Sequence, residues 1–520
     1  MSFAGLTDTD RKLLRAKDAN ASDIRSIKIT SNKKKSRVVD VSTATLRLLY
    51  YESILQDTLH ASVAFVDAGN SVRTGLTKKS VVEGLPLERE ENVLLKFLDN
   101  NGEQIEATMY VNDHTTLSSE STKELVSLQL CSKEFLTNED VRIPERFDGP
   151  ISEHVKSILT DEKYLNSAKD VTQIEDTQGE ENFEGSNNKP FFFINRLAKS
   201  SVPEGAPKGN SAGFFFFETS EGFVFKSIDS LFAQEPKKSY IYNMTPDMGG
   251  ASIPEGYDGK ALAYEVNNRV NAQKKKMMGA YNTRIITFDP SLFATGESPY
   301  VVSYIDSEGK EIKTGGKELP KGNEEFDKDI KFTRTVYKVK DVGTLPSGSG
   351  LGKEQEQLKK SGDENLEMDK VVNQSIMRYN QLFATMTSIT IPGDFTLHAG
   401  DAVWVDAASK QQEVCADDVD KKSGGLYIIA DLCHYLSQKE TYTRLNLIRD
   451  STGRDTKKRK KAISSSNSKV SKSETAPGVQ SSRAKKNNAK GKLSKAQIDA
   501  WVMKPLPRYV EEFDSPFEDF

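Results

Sequence analysis

Three cysteines in 520 residues are too few to staple a fold. Cys131, Cys415 and Cys433 share no metal-ligand or redox spacing, and a sparse, odd count points to assembly in a reducing cytoplasm. No apolar run approaches the ~18 residues needed to span a bilayer, so no membrane insertion is expected. The opening residues, MSFAGLTDTDRKLLRAKD, lack the apolar core of a signal peptide. Thr7 or Asp8 suits the cap of a short N-terminal helix instead. With 36% hydrophobic and 28% charged residues, the chain reads as surface-rich and is too long for a single core.

Charge is unevenly spread. Residues 451–493 carry 13 Lys and Arg against two acids, or +11, and residues 494–520 carry −3. With −4 overall, −12 is left for residues 1–450, so the folded part is acidic and the basic charge sits in one tail.

Catalytic motifs fail on context. Gly209 to Gly213 spells G-x-S-x-G, but a Pro/Gly loop precedes it and a phenylalanine run follows, whereas a nucleophile elbow needs strand then helix. Cys433 and His434 are adjacent on an expected strand and would point to opposite faces. Gly348 to Lys353 (GSGLGK) has the wrong glycine spacing for a phosphate loop, and Glu354 replaces the magnesium-binding Ser or Thr. Asp417 to Asp420 resembles a calcium loop, yet the expected glycine is Ser423 and no glutamate closes it. His60, His114, His154 and His398 are scattered. The sequence therefore assigns no catalytic, cofactor or metal residue.

Strand grammar fills much of the chain. Ile24–Thr30, Val38–Tyr51, Ala61–Asp67, Val93–Leu98, Ala107–Asn112 and Val126–Ser132 predict a barrel or sandwich. Behind Pro150, Ile151, Val155, Ile158 and Leu159 fall at helical spacing. Asp170–Asn188 reads as a loop or arm, and Pro190 opens a helix carrying Phe192, Asn195 and Arg196. A hairpin follows, turning at Thr219–Gly222. Its Phe214, Phe215, Phe216 and Phe217 are apolar on both faces and must be covered within the domain or by a partner subunit. They are candidate subunit contacts. A helix is expected at Ala261–Met277, a strand at Arg284–Asp289, an insert at 341–370 and a helix at Val371–Leu382. Beyond these, ITIPGDFTLHAGDAVWVD and two further alternating runs, Tyr427–Leu436 and Tyr442–Ile448, spell a small antiparallel barrel.

Taken in order, these segments resemble the central baseplate hub family of contractile-tailed, T-even-like phages. The resemblance rests on YYESIL (Tyr50–Leu55) with VAFVD after it, RFDGPISEHVKSIL (Arg146–Leu159), KPFFFINRLA, GFFFFETSEGFVFKSIDSL, YNTRIITFDP (Tyr281–Pro290) and the C-terminal barrel. It covers roughly residues 22–450; the 341–370 insert and everything after Arg454 have no counterpart. It implies a β-rich α+β fold with two tail-tube-like antiparallel β-barrels, mixed and helical domains between them, and a C-terminal extension. The expected boundaries are an N-terminal helix at 1–21, a first barrel at 22–135 and a mixed domain at 136–212. After these come hairpin, connectors and insert at 213–380, with some strands joining the second barrel at 381–450. A basic linker at 451–493 and a docking peptide at 494–520 end the chain.

The implied function is a homotrimeric hub in the virion, assembled in the host cytoplasm. It would join the six-fold tail tube to the three-fold central spike and let viral DNA pass without sequence-specific binding. The alternatives are the hub of a phage-derived protein-injection apparatus, or a tail-associated envelope hydrolase, for which no convincing carboxylate pair is present. The basic tail has no interleaved aromatic residue for stacking on bases. It reads as a polar tether, with a charge-matched strap along an acidic neighbour and DNA contact as the other readings, while Ser494–Gln497 opens a capped helix ended by Pro505. Trp501, Tyr509, Phe513, Phe517 and Phe520 make that end a candidate docking element for other baseplate proteins or for its own subunit.

Overall fold

The structure is a computed structural model. It describes residues 23–451 apart from 34–36, 70–71, 75–76, 89, 100, 120–122, 180, 206–211, 243–255, 269–271, 280–281, 289–295, 307–333, 340–367, 384, 408–422 and 438–439.

The first stretch forms β1 (Asp23–Thr30), β2 (Val38–Asp40), β3 (Thr45–Ser53), β4 (His60–Asp67), β5 (Val72–Thr74), β6 (Thr77–Lys79), helix α1 (Val81–Gly84), β7 (Asn92–Leu98), β8 (Gln104–Ser119) and β9 (Glu124–Cys131). Period-two patterning explains the strands: in β7, Val93, Leu95 and Phe97 are buried while their neighbours are half-buried. The order β2-β1-β7-β8-β9-β4-β3 is antiparallel throughout. Its inner face gathers Ile27, Leu48, Val63, Leu95, Met109 and Leu128 into one core, so the sheet curls on itself. A short 3-10 turn, Ser42–Ala44, helps close it. Beside that turn, Val41 N–H donates to the Ile27 carbonyl at 2.9 Å and Thr45 Oγ1 donates to the Val41 carbonyl at 2.8 Å. These bonds tie β1 to β3 although four strands separate them in the sheet.

The middle of the chain supplies α2 (Lys133–Asp140), β10 (Arg146–Gly149), α3 (Ile151–Thr160), β11 (Gln173–Ile174), β12 (Glu181–Glu184), α4 (Pro190–Ala198), β13 (Phe214–Thr219), β14 (Gly222–Ser227) and α5 (Ile228–Ala233). The apolar stripe of α3 (Ile151, Val155, Ile158, Leu159) packs in one cluster with Phe193 and Leu197 of α4. The segment read as a loop, 170–188, contributes two short strands: β11 runs parallel to β14, and β12 pairs with β10. They form because the hairpin and β10 each leave an edge that this extended chain can satisfy.

The remainder comprises β15 (Lys238–Tyr242), β16 (Gly259–Lys260), β17 (Ala263–Asn268), α6 (Ala272–Met278), β18 (Asn282–Phe288), β19 (Tyr300–Asp306), β20 (Arg334–Val339), α7 (Met368–Leu382), β21 (Thr385–Pro392), β22 (Ala402–Ala407), β23 (Gly425–Ser437) and β24 (Thr441–Arg449). Around a second core of Ile389, Val403, Val405, Tyr427, Ile429 and Leu447, β17-β21-β24-β23-β22-β15-β16 form a second lobe. Its far edge departs from the antiparallel expectation, because β15 runs parallel to β22 and β16 parallel to β15. Helix α5 packs on the outer face of this lobe and delivers the chain to that edge in the direction of β22.

The helix expected at Ala261–Met277 is corrected. Ala263–Asn268 is a strand on the open edge of β21, and the helix spans only Ala272–Met278. Backbone pairing along β21 and the Tyr264–Tyr242 stack (5.4 Å) outweigh the helical spacing there. Among the described residues, no helix is long and apolar enough to cross a membrane.

Candidate functional site: the junction between the two lobes

β23 belongs to both lobes. Its start, Gly425–Ile428, pairs with β22; past an irregularity at Ala430, Asp431–Ser437 pairs along the same edge with Ser53–Arg47 of β3. β24 lines its other edge, so both lobes join one 14-stranded sheet. At the changeover Ser53 Oγ donates to Asp431 at 2.5 Å and Asn446 Nδ2 donates to it at 3.1 Å. Burial raises the Asp431 pKa, and these two bonds oppose the rise. The loop after β21 enters the first lobe's core: Phe395 meets Phe97 edge-on at 5.2 Å and His434 at 4.6 Å, while its N–H donates to Asp99 at 3.1 Å.

Three of the sequence segments that carry the family resemblance converge beside this seam. Glu52 of β3 accepts from the N–H groups of Ser220 (2.9 Å) and Ala399 (3.0 Å), and its Oε1 lies 3.3 Å from His398 Nδ1. Ser220 Oγ also lies 3.3 Å from Nδ1, and Glu221 lies 3.5 Å from Nε2. Burial alone would lower the His398 pKa; Glu52, with Asp401 behind it, outweighs burial and Lys237 and leaves it raised. The expected Gly-Asp turn is present: Gly400 has φ +84°, and a Cβ there would sit 2.6 Å from Phe217 Cζ.

In this grouping Ser220 Oγ and Glu52 share Nδ1 of His398, while Glu221, more than half exposed, faces Nε2 at 3.5 Å. The cavity beside it, lined by Glu221, Lys226, Gln234, His398 and Asp401, holds about 30 Å³, room for one water rather than a substrate. The cluster instead clamps β3, the hairpin turn and the loop before β22 together.

Two further charged groups brace the junction. Glu218 of β13 is buried, accepts from Leu59 N–H (3.1 Å) and Ser132 Oγ (2.7 Å), and pairs with Lys169. Lys169 also pairs with Glu134 of α2. Burial raises the Glu218 pKa against the pull of Lys169. Burial would lower that of Lys169, but the two carboxylates prevail and raise it. Elsewhere Arg378 of α7, with no solvent exposure, bridges Asp229 (2.7 Å) and Asp450 (3.1 Å).

The structure places the four hairpin phenylalanines, read from the sequence as candidate subunit contacts, within the chain's own packing. Phe214 and Phe216 pack into the core of the middle region, while Phe215 and Phe217 pack with Trp404, Leu231 and Tyr379 on the outer face of the second lobe. None is more than 7% exposed, because the chain covers both faces of the strand itself. Trp501, Tyr509, Phe513 and Phe517 lie outside the described residues, as do the GSGLGK and Asp417–Asp420 segments and most of G-x-S-x-G. Cys433 lies against Tyr51, and burial first of all pushes its thiol up to about 12, whereas His434 turns the other way to Thr443. Sequence reasoning missed Glu52, Glu218, Lys169, His398 and Arg378 as a bracing set. Their partners lie 35 to 347 residues away, so no local spacing reveals them.

No family model and no curated protein matches the sequence. Solved structures do. The 43 kDa tail protein of prophage MuSo2 from Shewanella oneidensis is 9% identical, with a TM-score of 0.44 over 82% of this chain and 98% of its own. A tail protein from Neisseria meningitidis is 10% identical, with a TM-score of 0.43 over 81% of this chain and 96% of its own. An E. coli component of the type VI secretion system is 8% identical, with a TM-score of 0.36 over 81% of this chain and 76% of its own.

Proposed function

We propose that this chain is the structural hub of a contractile-tail baseplate. In this reading a homotrimer joins the six-fold tail tube to the three-fold central spike and encloses part of the genome-ejection channel. The observation that carries it is the sharing of β23 by two sheet lobes, which holds them in one fixed relation within a single chain. Three copies then offer six lobes, the number a six-fold ring requires. The ordered resemblance of residues 22–450 to the hub family supports the same reading. The net −12 of residues 1–450 suits a channel that repels rather than holds DNA. Residues 494–520, on their basic tether, would engage a neighbouring baseplate protein. The work of such a chain is positional rather than catalytic.

The test is the mass and symmetry of the purified chain with its spike. A particle of three chains with three-fold symmetry is expected. A stable monomer at assembly concentration with the spike present overturns the proposal.

A further inference from the structure

The sheet β19-β18-β20 has one covered face and one open face. On the covered face Thr283, Ile285, Thr287 and Val336 are buried, and Ile376 of α7 packs on Ile285 and Val336. The register places the open face in rows: Tyr300–Phe288–Val339, then Val302–Ile286–Tyr337, with Arg284 and Thr335 beyond. The first two rows are entirely apolar or aromatic. Tyr337 and Val339 are about two-thirds exposed, Tyr300 and Val302 about half, and Phe288 touches the Tyr300 ring at 5.5 Å. Contiguous exposure of this kind marks a surface that another element covers.

We propose that residues 494–520 of the same chain cover this face. The point of departure is right: Asp450 is held by Arg378 of α7, and two residues along that helix Ile376 packs on the sheet. A 42-residue polar connection, 452–493, has a root-mean-square reach of roughly 35 Å, enough to round a sheet two layers away. Tethering keeps the effective concentration near millimolar, so modest intrinsic affinity suffices. On the open face itself the cation among the described residues is Arg284, and residues 494–520 carry six acids against three cations. Trp501, Tyr509, Phe513 and Phe517 supply the aromatic surface that two apolar rows would bury. The segment that docks on a neighbour in the proposed hub thus has a resting place on its own subunit. The inference stands on the sheet and the tail, whatever the oligomer.

The full chain contains its own reporter. Its two tryptophans are Trp404, which is fully buried, and Trp501. Acrylamide quenching of the unmodified chain should find Trp501 protected. The double variant Tyr337→Lys, Val339→Lys alters only exposed side chains. It should raise the quenching constant several-fold with far-UV circular dichroism unchanged. A photo-crosslinker replacing Tyr337, in mixed isotope-labelled and unlabelled full-length chains, should join residues 494–520 of the same chain. Full quenching of Trp501 in the unmodified chain, or equal protection in the variant, overturns the proposal. So do crosslinks of mixed isotope, which mean a second copy, and crosslinks to 307–333 or 340–367, which mean that a connecting segment is the cover.

Discussion

Tyr50 and His434 face each other across the seam between β3 and β23, their rings stacked at 6.1 Å and 18° from parallel. Both are fully buried, and His434 Nδ1 meets Thr443 Oγ1 at 2.9 Å. An imidazole in that position is held neutral, and its electrostatic cost sets how the junction responds to acid.

Burial, helped by the charge of His398 and opposed by Asp394, pushes the His434 pKa down to about 3. Unfolding therefore takes up a proton between the ordinary value of 6.5 and about 3. The contribution is complete above pH 6.5 and is lost as pH falls, by at most about 1.4 kcal/mol per pH unit. His154, pushed by burial to about 4, acts with the same sign. Replacing His434 with Phe should flatten, though not abolish, the fall in urea midpoint between pH 7.5 and 4.5. An unchanged slope would remove His434 from the account.

His398 has the opposite sign. Its pKa is raised above 6.5, so its contribution is full below 6.5 and is lost as pH climbs through the raised value. A proton NMR titration of the imidazole should place its midpoint above 6.5, and Glu52→Gln should bring that midpoint down. If the midpoint does not move in the variant, the clamp between β3 and the loop is not electrostatic.

Lys169 serves two buried carboxylates. Lys169→Met should cost about 3–5 kcal/mol, since Glu218 and Glu134 lose their shared cation in a dry site. Adding Glu218→Gln should restore part of that loss, because the amide oxygen still accepts from Leu59 and Ser132. Thermal unfolding of the two variants checks this: a double variant no more stable than the single one contradicts the network.

Phe217 belongs to its own chain's core, so Phe217→Ala should lower folding stability by about 3–5 kcal/mol. Phe215→Asp should be worse, leaving a desolvated carboxylate beside Tyr379. Sedimentation and unfolding together separate this from a subunit-contact role. Loss of association in a chain that unfolds at its normal denaturant concentration would return these residues to an interface.

Strands with clean alternation were legible in the sequence. β1, β4, β7 and β9 lie within a few residues of the patterned runs, and the Thr219–Gly222 turn stands where the phenylalanine hairpin required one. The length of β8 was not legible, because its outer half, Asn112–Ser119, has few buried side chains to set a pattern. β17 was read as helix, since helical spacing says nothing about an unfilled strand edge elsewhere. The phenylalanine run correctly signalled burial on both faces, but it could not tell cover by the same chain from cover by a partner. The Glu52–His398 clamp was beyond reach, because topology alone brings together residues separated by 346 positions.

The clamp of Arg378 on Asp450 bears on how the chain would take tension. β24 is paired on both sides, to β21 over Thr441's neighbours through Arg449 and to β23 along most of its length. A pull on the tail would meet the Arg378 anchor first, at the point where β24 ends. Beyond that, the strand would have to slide lengthwise between two neighbours, breaking its ladder bonds together rather than one at a time. Strain applied at Ser451 would be spread into the shared sheet, so the chain can be pulled at that point without unravelling the lobe.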